Sequence, residues 1–474
     1  MAITSSTTAA IDVPTLVSQL MVVERQPIDK LKTKVTDAQA KISSLGTLNS
    51  LVSSFQTAAL GLNTGLQSLA ATPSDASVFA ASVGSTAVPG NYALSVSQLA
   101  QSQSLVAAGQ ASSTTAIGDG TATTVTFDLG TISGGTLTDG VYSGATFASN
   151  GNATASITIN SSNNTLKGIR DAINSAALGV TATIVNDGSG TPYRLALSSS
   201  NSGASNSFKI TTSGGDGTIN SLLGYDPAGT QNLTQTLAAQ DAKLTVNGIA
   251  ITSASNTVSE AIQGVTLTLK NTTAAPTSLA VARDTTAIQT AAAAFVDAYN
   301  GLASQIKSRS AYGTSTSAGG ALAGDPTLRL MQDQLRGIFN SPASGGTLTS
   351  LAQVGIAFQQ DGTLALDSTK LDSALTANFS DVTNLFSSST GVVTRLQAWA
   401  NSTLSAGGLI DARKQSLNNY VTDRNVDIDN LENRMTILQK QYTTEYTNLD
   451  MLLSNMNTTS TYLTQQLASS QSTG

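Results

Sequence analysis

The chain of 474 residues is long enough for several domains and a sizeable core, yet only 11% of it is charged and 4% aromatic, with Ala, Ser, Thr, Asn and Gly taking up the difference. It has no cysteine and no histidine, which excludes disulfides, thiol chemistry, Cys/His zinc sites and every catalytic pair that uses imidazole as its base. A net charge of -6 leaves no electrostatic footprint for nucleic acid or an anionic membrane.

The opening "MAITSSTTAAIDVPTLVSQL" has no basic stretch followed by an apolar core, so no cleaved secretory signal is expected. No run of about 18 apolar residues exists to span a membrane. From Ile28 to Thr72 there is no proline, and Ile28, Leu31, Val35, Ala38, Ile42 and Leu45 recur three and four apart, which predicts a long helix with a heptad seam. The eight charges between Glu24 and Lys41 mark its solvated face. Around Pro73 the period changes to two. "VFAASVGSTAVPGNYALSVSQLAQSQSLVA" reads as a β-hairpin that turns at Pro89-Gly90.

From Ala107 to Gln235 short alternating runs ("TVTFDL", "ASITIN", "PYRLALSS") surround one helix, "NTLKGIRDAINSAA", with Asn164 as its cap. This is read as an inserted β-rich module. "AKLTVNGIAITSASNTVSEAIQGVTLTLK" then gives a strand, an Asn247-Gly248 turn, a strand, a loop and a last strand. Helices resume at Thr285 and again in "DPTLRLMQDQLRGIFN", where Asp325 caps and Pro326 takes the first helical position. A small hairpin turns at Asp361-Gly362, and more helix runs to Leu404. From Ala412 to Gln465 one nearly continuous helix is expected, about 80 Å long at 1.5 Å per residue.

The fold class is therefore α+β and multidomain, with long terminal helices forming a coiled-coil-like leg, a helical domain, and two β-rich head domains inserted between the halves. Residues 1–47 form an N-terminal leg that pairs with 428–474. Residues 48–77 plus 284–427 form the mainly helical domain, 78–106 plus 236–283 a β-rich head domain, and 107–235 the outer head domain. The leg and oligomer surface is assigned to Leu16, Leu20, Val23, Ile28, Leu31, Val35, Ile42 and Leu45 at the front. At the back it takes Ile428, Leu431, Met435, Leu438, Tyr442, Leu449, Leu452, Leu453, Met456, Tyr462 and Leu463. For residues 428–449 an intramolecular core and an intermolecular seam carry equal weight. Beyond Leu452 no further chain follows to cover the apolar face, which favours other copies.

At this point the residues resemble a known family, the flagellar filament-capping or hook-associated protein 2 family. "IDVPTLVSQLMVVERQPIDKLK" is similar to its opening, and "LTVNGIAITSASNTVSEAIQGVTLTLK" to its most specific internal block. "VGIAFQQDGTLALD" and "YTTEYTNLDMLLSNMNTTSTYL" resemble later blocks, and residues 155–210 the repeat of flagellins and hook-associated proteins. The chain departs at the front, where "SSTTAAID" stands in place of the Gly-rich "GLGSGLD"-like start of many members. The resemblance implies a ring-shaped homo-oligomer, a pentamer, at the distal tip of the flagellar filament, where exported flagellin is retained, folds and is inserted. It implies extracellular localisation after export by the flagellar type III apparatus without signal cleavage. The implied partners are further copies of the chain, flagellin, hook-filament junction proteins and an export chaperone, with host mucin or glycans for a cap that is also an adhesin. No cofactor, metal, nucleic acid or membrane is implied.

Catalytic readings are weak beside this one. Ser304 and Lys307 make Ser-x-x-Lys on a helix, without the partner motifs of the serine acyl enzymes. "SGGDGT" at Ser213 to Thr218 occurs once and reads as a turn. Asp427 and Asp429 are two apart on a helix, so their carboxylates diverge. An enzyme is not expected. Three readings remain: a structural cap, a surface adhesin acting through 107–235, and a filament-forming flagellin, which the Val-Asn-Gly block disfavours.

Overall fold

The computed structural model describes residues 11–314 and 319–471; most of the atypical opening, Ser5 to Ala10, lies outside them. In chain order the first half gives α1 (Val13–Glu24), α2 (Gln26–Gly65), β1 (Leu69–Pro73), β2 (Phe79–Val83), β3 (Gly90–Gln98), β4 (Ser104–Ala107), β5 (Thr123–Thr138), β6 (Val141–Ser149), β7 (Ala155–Ile159), α3 (Leu166–Ser175), β8 (Val180–Asn186), β9 (Tyr193–Ser199), β10 (Ser207–Gly214), α4 (Thr218–Leu223) and β11 (Leu233–Leu237). The second half gives β12 (Ala242–Val246), β13 (Ile249–Ser253), β14 (Thr257–Ile262), β15 (Val265–Leu269), β16 (Thr277–Arg283), α5 (Thr285–Ser310), α6 (Pro326–Asn340), β17 (Ile356–Phe358), β18 (Leu364–Leu366), α7 (Ser368–Ser387), α8 (Val392–Leu404) and α9 (Leu409–Gln471). They fall into two compact units, residues 1–66 with 285–474, and 67–284. The class is α+β, with helices at both ends and strands between.

The first unit is helical. α1 starts where Asp12 accepts the Thr15 N–H, and α2 follows it through the single residue Arg25, which keeps right-handed angles (φ -79°, ψ -13°). The interruption has a local cause: Pro27 has no N–H to continue the ladder. The lower half of α2 buries Leu45, Leu48, Val52, Phe55, Ala59 and Leu62 against α5, α6, α7 and α8. Phe55, Phe295, Tyr299, Phe339 and Phe358 stack in tilted and edge-on pairs, with Tyr299 and Phe339 5.2 Å apart at 84°. At this core α9 is tied to α6. Asp325 caps Thr327 and takes Arg413 at 2.9 Å, its side chain only 3% exposed. Burial opposes its charge, but the Thr327 bonds and Arg413 outweigh that and hold its carboxyl below the usual range. The β17–β18 hairpin turns at Asp361-Gly362 as its sequence predicts, Gly362 supplying φ 89°.

The second unit has two hydrophobic cores. One lies among a five-stranded antiparallel sheet, β1-β16-β3-β12-β13, and a three-stranded one, β14-β15-β2, with Phe79, Leu94, Leu244, Leu267 and Leu279 at its centre. The Asn247-Gly248 hairpin joins β12 to β13 with both turn residues at positive φ, 50° and 84°. The other core is enclosed by β10-β5-β6, with β7 also on β5, by β11-β4-β9-β8, and by α3 and α4. Gln101 and Gln240 exchange both backbone hydrogen bonds where the chain enters and leaves this module.

Five expectations are corrected. β2 and β3 do not form a hairpin: β2 pairs with β15, and β3 lies between β16 and β12. Alternation reports one buried face and is silent about the partner strand. Residues 67–77, expected in the helical domain, belong to the second unit, because Leu69–Pro73 pairs along β16. The inserted module does not begin at 107 and end at 235. β4 and β11 pair with each other, with Leu105 and Leu233 buried in the module core, so its ends lie at the Gln101–Gln240 bridge. The cap of α3 is Thr165, whose hydroxyl accepts the Gly168 N–H; the Asn164 amide is spent on the Ile117 carbonyl. The last helix is longer than read, 63 residues.

Candidate functional site: the terminal helices

α1 and the start of α2 run antiparallel to α9. Contacts fix the register: Ile11 N–H donates to Asp450 at 3.0 Å, the Tyr442 hydroxyl to Glu24 at 3.4 Å, and Lys32 pairs with Glu432 at 2.8 Å. Between these polar ties lies an apolar seam of Val17, Met21, Ile28 and Val35 against Ile428 and Met435. Val13, Leu31, Val421, Leu431, Leu438, Tyr442 and Tyr446 cover its edges. Each buried side chain is worth about 1.5–3 kcal/mol, whereas the exposed Lys32–Glu432 pair is worth at most about 1 kcal/mol. The seam therefore holds the helices together and the ion pair sets register. The Lys32 hydrogen bond lowers the Glu432 carboxyl, and the charge of Glu24 raises the Tyr442 phenol.

The residues assigned from sequence divide three ways. Ile28, Val35, Ile428 and Met435 are buried in the seam, with Leu31, Leu431, Leu438 and Tyr442 half-buried at its edges. Ile42 and Leu45 pack into the helical core instead. Leu16 and Leu20 are half-buried, and Val23 is exposed. Sequence reasoning missed Val17 and Met21, which the seam uses in their place. The signal was there: Met21, Ile28 and Val35 are seven apart, so the heptad runs in phase through Pro27.

Leu449, Leu452, Leu453, Met456, Tyr462 and Leu463 are all exposed. Past Asp450, α9 continues without a charged residue to Gln471, about 30 Å of helix. Met435 is 5% exposed in the seam; Met456 is 61% exposed, Tyr462 63% and Leu463 54%. Leu452, Met456, Thr459 and Leu463 keep the four-three-four spacing of the seam, and Leu449 and Leu453 widen the face on one side. Local propensity gives this stretch little support. Thr458, Thr459, Thr461 and Thr464 bond back to carbonyls one turn earlier, a habit that does not favour helix interiors.

The polar groups singled out in the sequence are placed as follows. Asp427 pairs with Arg424 at 2.9 Å, Asp216 is engaged by the N–H groups of Thr218 and Asp119, and no hydrogen bond joins Ser304 to Lys307 among the described residues. No group of three Asp or Glu that could hold a metal occurs among the described residues. No described helix is long and apolar enough to cross a membrane. The exposed side chains of α9 beyond Asp450 offer apolar contact along a helix.

Comparison with known proteins places this arrangement in context. Three family descriptions match: "Flagellar hook-associated protein 2 N-terminus" over residues 9–103, "Flagellar hook-associated protein 2 C-terminus" over 239–458, and "Flagellin hook IN motif" over 146–201. The flagellar hook-associated protein 2 of Escherichia coli K12 is 33% identical over 471 residues, covering 97% of this chain and 96% of that protein. The B-type flagellar hook-associated protein 2 of Pseudomonas aeruginosa PAO1 is 32% identical over 463 residues, 93% of this chain and 92% of that one. Among solved structures, the D1-D2-D3 domains of the flagellar cap protein FliD from Escherichia coli align with a TM-score of 0.65 and 34% identity, over 79% of this chain and 99% of that one.

Proposed function

Because the chain belongs to the flagellar hook-associated protein 2 family of flagellar cap proteins, we propose that it works as a ring-shaped homo-oligomer, a pentamer, at the distal end of the filament. There it retains exported flagellin and promotes its folding and insertion. In this reading the chain leaves the cell by the flagellar export apparatus without signal cleavage, helped by a dedicated chaperone, and its terminal helices dock with other copies and with the filament or the hook-filament junction.

The observation that carries the reading is the apolar, uncharged face of α9 beyond Asp450. It repeats the spacing of a seam that is buried a few turns earlier, so it is built for a helix-sized contact. A cap must stay attached yet shift as each subunit enters beneath it. Contacts made by small neutral and apolar residues permit that, because no strong ion pair fixes one register.

The test is the triple substitution Leu449→Ser, Leu452→Ser and Met456→Ser. All three side chains are exposed, so the chain should fold and be exported normally. Cells carrying it should be non-motile and should release unpolymerised flagellin into the medium. Normal filaments with the variant exported at normal levels would sink the proposal and move weight to an adhesin reading through the inserted module. Electron microscopy of the purified protein checks the ring separately: closed rings are expected, and open filaments or monomers alone would contradict it.

A further inference from the structure

The first unit contains a cleft of about 660 Å³ that the terminal helices do not use. α5, α6 and the tip of the β17–β18 hairpin wall it. Ile306 and Leu335 reach it from the buried core, and Phe358 stands at its side, 40% exposed. That ring is not loose. It is held edge-on to Tyr299 at 5.9 Å and to Phe339 at 5.5 Å, and the Tyr299 hydroxyl fixes the adjoining turn by donating to the Gly362 carbonyl at 3.1 Å. A rigid, half-open aromatic ring over an apolar floor is a surface with area to bury and little entropy to lose.

The lining charges are unbalanced. Lys307 and Arg336 both line the cleft, are exposed, and form no ion pair among the described residues. The one carboxylate there, Asp361, accepts from the N–H and hydroxyl of Thr363 at 3.0 and 2.6 Å and also feels the charge of Lys307, so the lining keeps one cation in excess. Four carboxamides, Gln332, Asn340, Gln359 and Gln360, also line it. Two cations, a fixed ring and several amides do not describe a serine acyl enzyme, although Ser304 and Lys307 both lie here. They describe recognition of a carboxylate next to an apolar group, with peptide bonds on either side.

We propose that this cleft docks an extended peptide segment of a partner protein that presents a carboxylate beside an aromatic or branched apolar side chain. The carboxylate sits between Lys307 and Arg336, the apolar group lies on Phe358 and Ile306, and the flanking backbone pairs with the carboxamides. The proposal rests on the cleft alone and stands or falls independently of the capping reading.

The experiment is an NMR titration of the full, methyl- and amide-labelled chain with 3-phenylpropionate, which joins a carboxylate to a ring, and with its neutral amide. Saturable shifts are expected at the Ile306 and Leu335 methyls, with the acid binding about fivefold tighter than the amide at low salt, the scale of a partly exposed ion pair. The double variant Lys307→Gln with Arg336→Gln should melt as the parent does and should bind acid and amide alike. A pentapeptide, acetyl-Ser-Asp-Leu-Phe-Ser-amide, should bind tighter than 3-phenylpropionate and lose its advantage when Asn replaces Asp. Three results would overturn the proposal: no saturable shift with any probe, equal affinity for acid and amide in the parent chain, or displacement by inorganic phosphate as effective as by the fragment, which would make this a bare anion site.

Discussion

Within α9 one pattern meets two environments. From Ile428 to Tyr442 the apolar residues at heptad spacing close against α1 and α2. From Leu449 to Leu463 residues of the same kind at the same spacing face outward. The difference is one of register. Ile11 lies against Asp450, so the described part of the N-terminal strand of the seam ends there, and the helix runs on. Periodicity thus reports that a face is meant to be buried, and the partner's length decides where burial is reached within one chain.

The sharpest way to break this comparison is to truncate one methionine in each half. Met435→Ala should cost about 2–3 kcal/mol, the low end for a buried methionine, because a two-helix seam can partly close on the gap. Met456→Ala should leave the stability of the free chain within about 0.5 kcal/mol. Urea melts followed by circular dichroism measure both, and equal losses would contradict the division of α9 drawn above.

A second substitution asks where α9 is pinned. Asp325→Ala removes both the cap of α6 and the partner of Arg413, at an expected cost of about 2 kcal/mol. Thermal melts should register that loss. Hydrogen exchange should then rise in the first turns of α9 and stay unchanged beyond Asp450. Exchange rising evenly along α9 would mean the helix behaves as one unit.

A smaller effect comes from acid. Because the Asp325 carboxyl is held below its unfolded value, its stabilisation is present above the unfolded pKa of about 4 and is lost as pH falls through the folded one. Thermal melts from pH 7 to pH 3 should therefore fall more steeply for the parent than for Asp325→Asn. Parallel slopes would remove the carboxylate from the anchoring of α9.

Much of the fold was legible from local chemistry. Asp325-Pro326 marks the start of α6, and the Asn247-Gly248 and Asp361-Gly362 turns each join two strands that do pair. What escaped were partners across the chain. Nothing in "FAASV" says that it will pair with Val265–Leu269 far downstream, and the proline-glycine pair at Pro89-Gly90 looks like a turn although its flanking strands go to different sheets. The ends of the inserted module escaped for the same reason, since the Gln101–Gln240 bridge joins two positions with no local signal. At the terminal helices the heptad was visible but its phase before Pro27 was not. Leu16, Leu20 and Val23 do not share the phase of Ile28 and Val35; Val17 and Met21 do, because Arg25 keeps helical angles and carries the seam through.

Excision of the module sharpens the same lesson. With residues 102–239 replaced by two glycines between Gln101 and Gln240, the remainder should melt cooperatively, because the bridge already holds those positions side by side. A cut at 107 and 235 should do worse, since it leaves parts of β4 and β11 without the module core they pack into. Calorimetry of the two deletions, with the parent as reference, distinguishes them.

The face of α9 beyond Asp450 is proposed as a surface for other molecules, first of all other copies of this chain. Hydrogen exchange with mass spectrometry on the monomer and on the assembled protein tests it most directly. Amides from 428 to 449 should be slow in both states, and those from 451 to 469 should be fast in the monomer and slow in the assembly. Equal protection of the tail in the two states, whether fast or slow, would contradict the account.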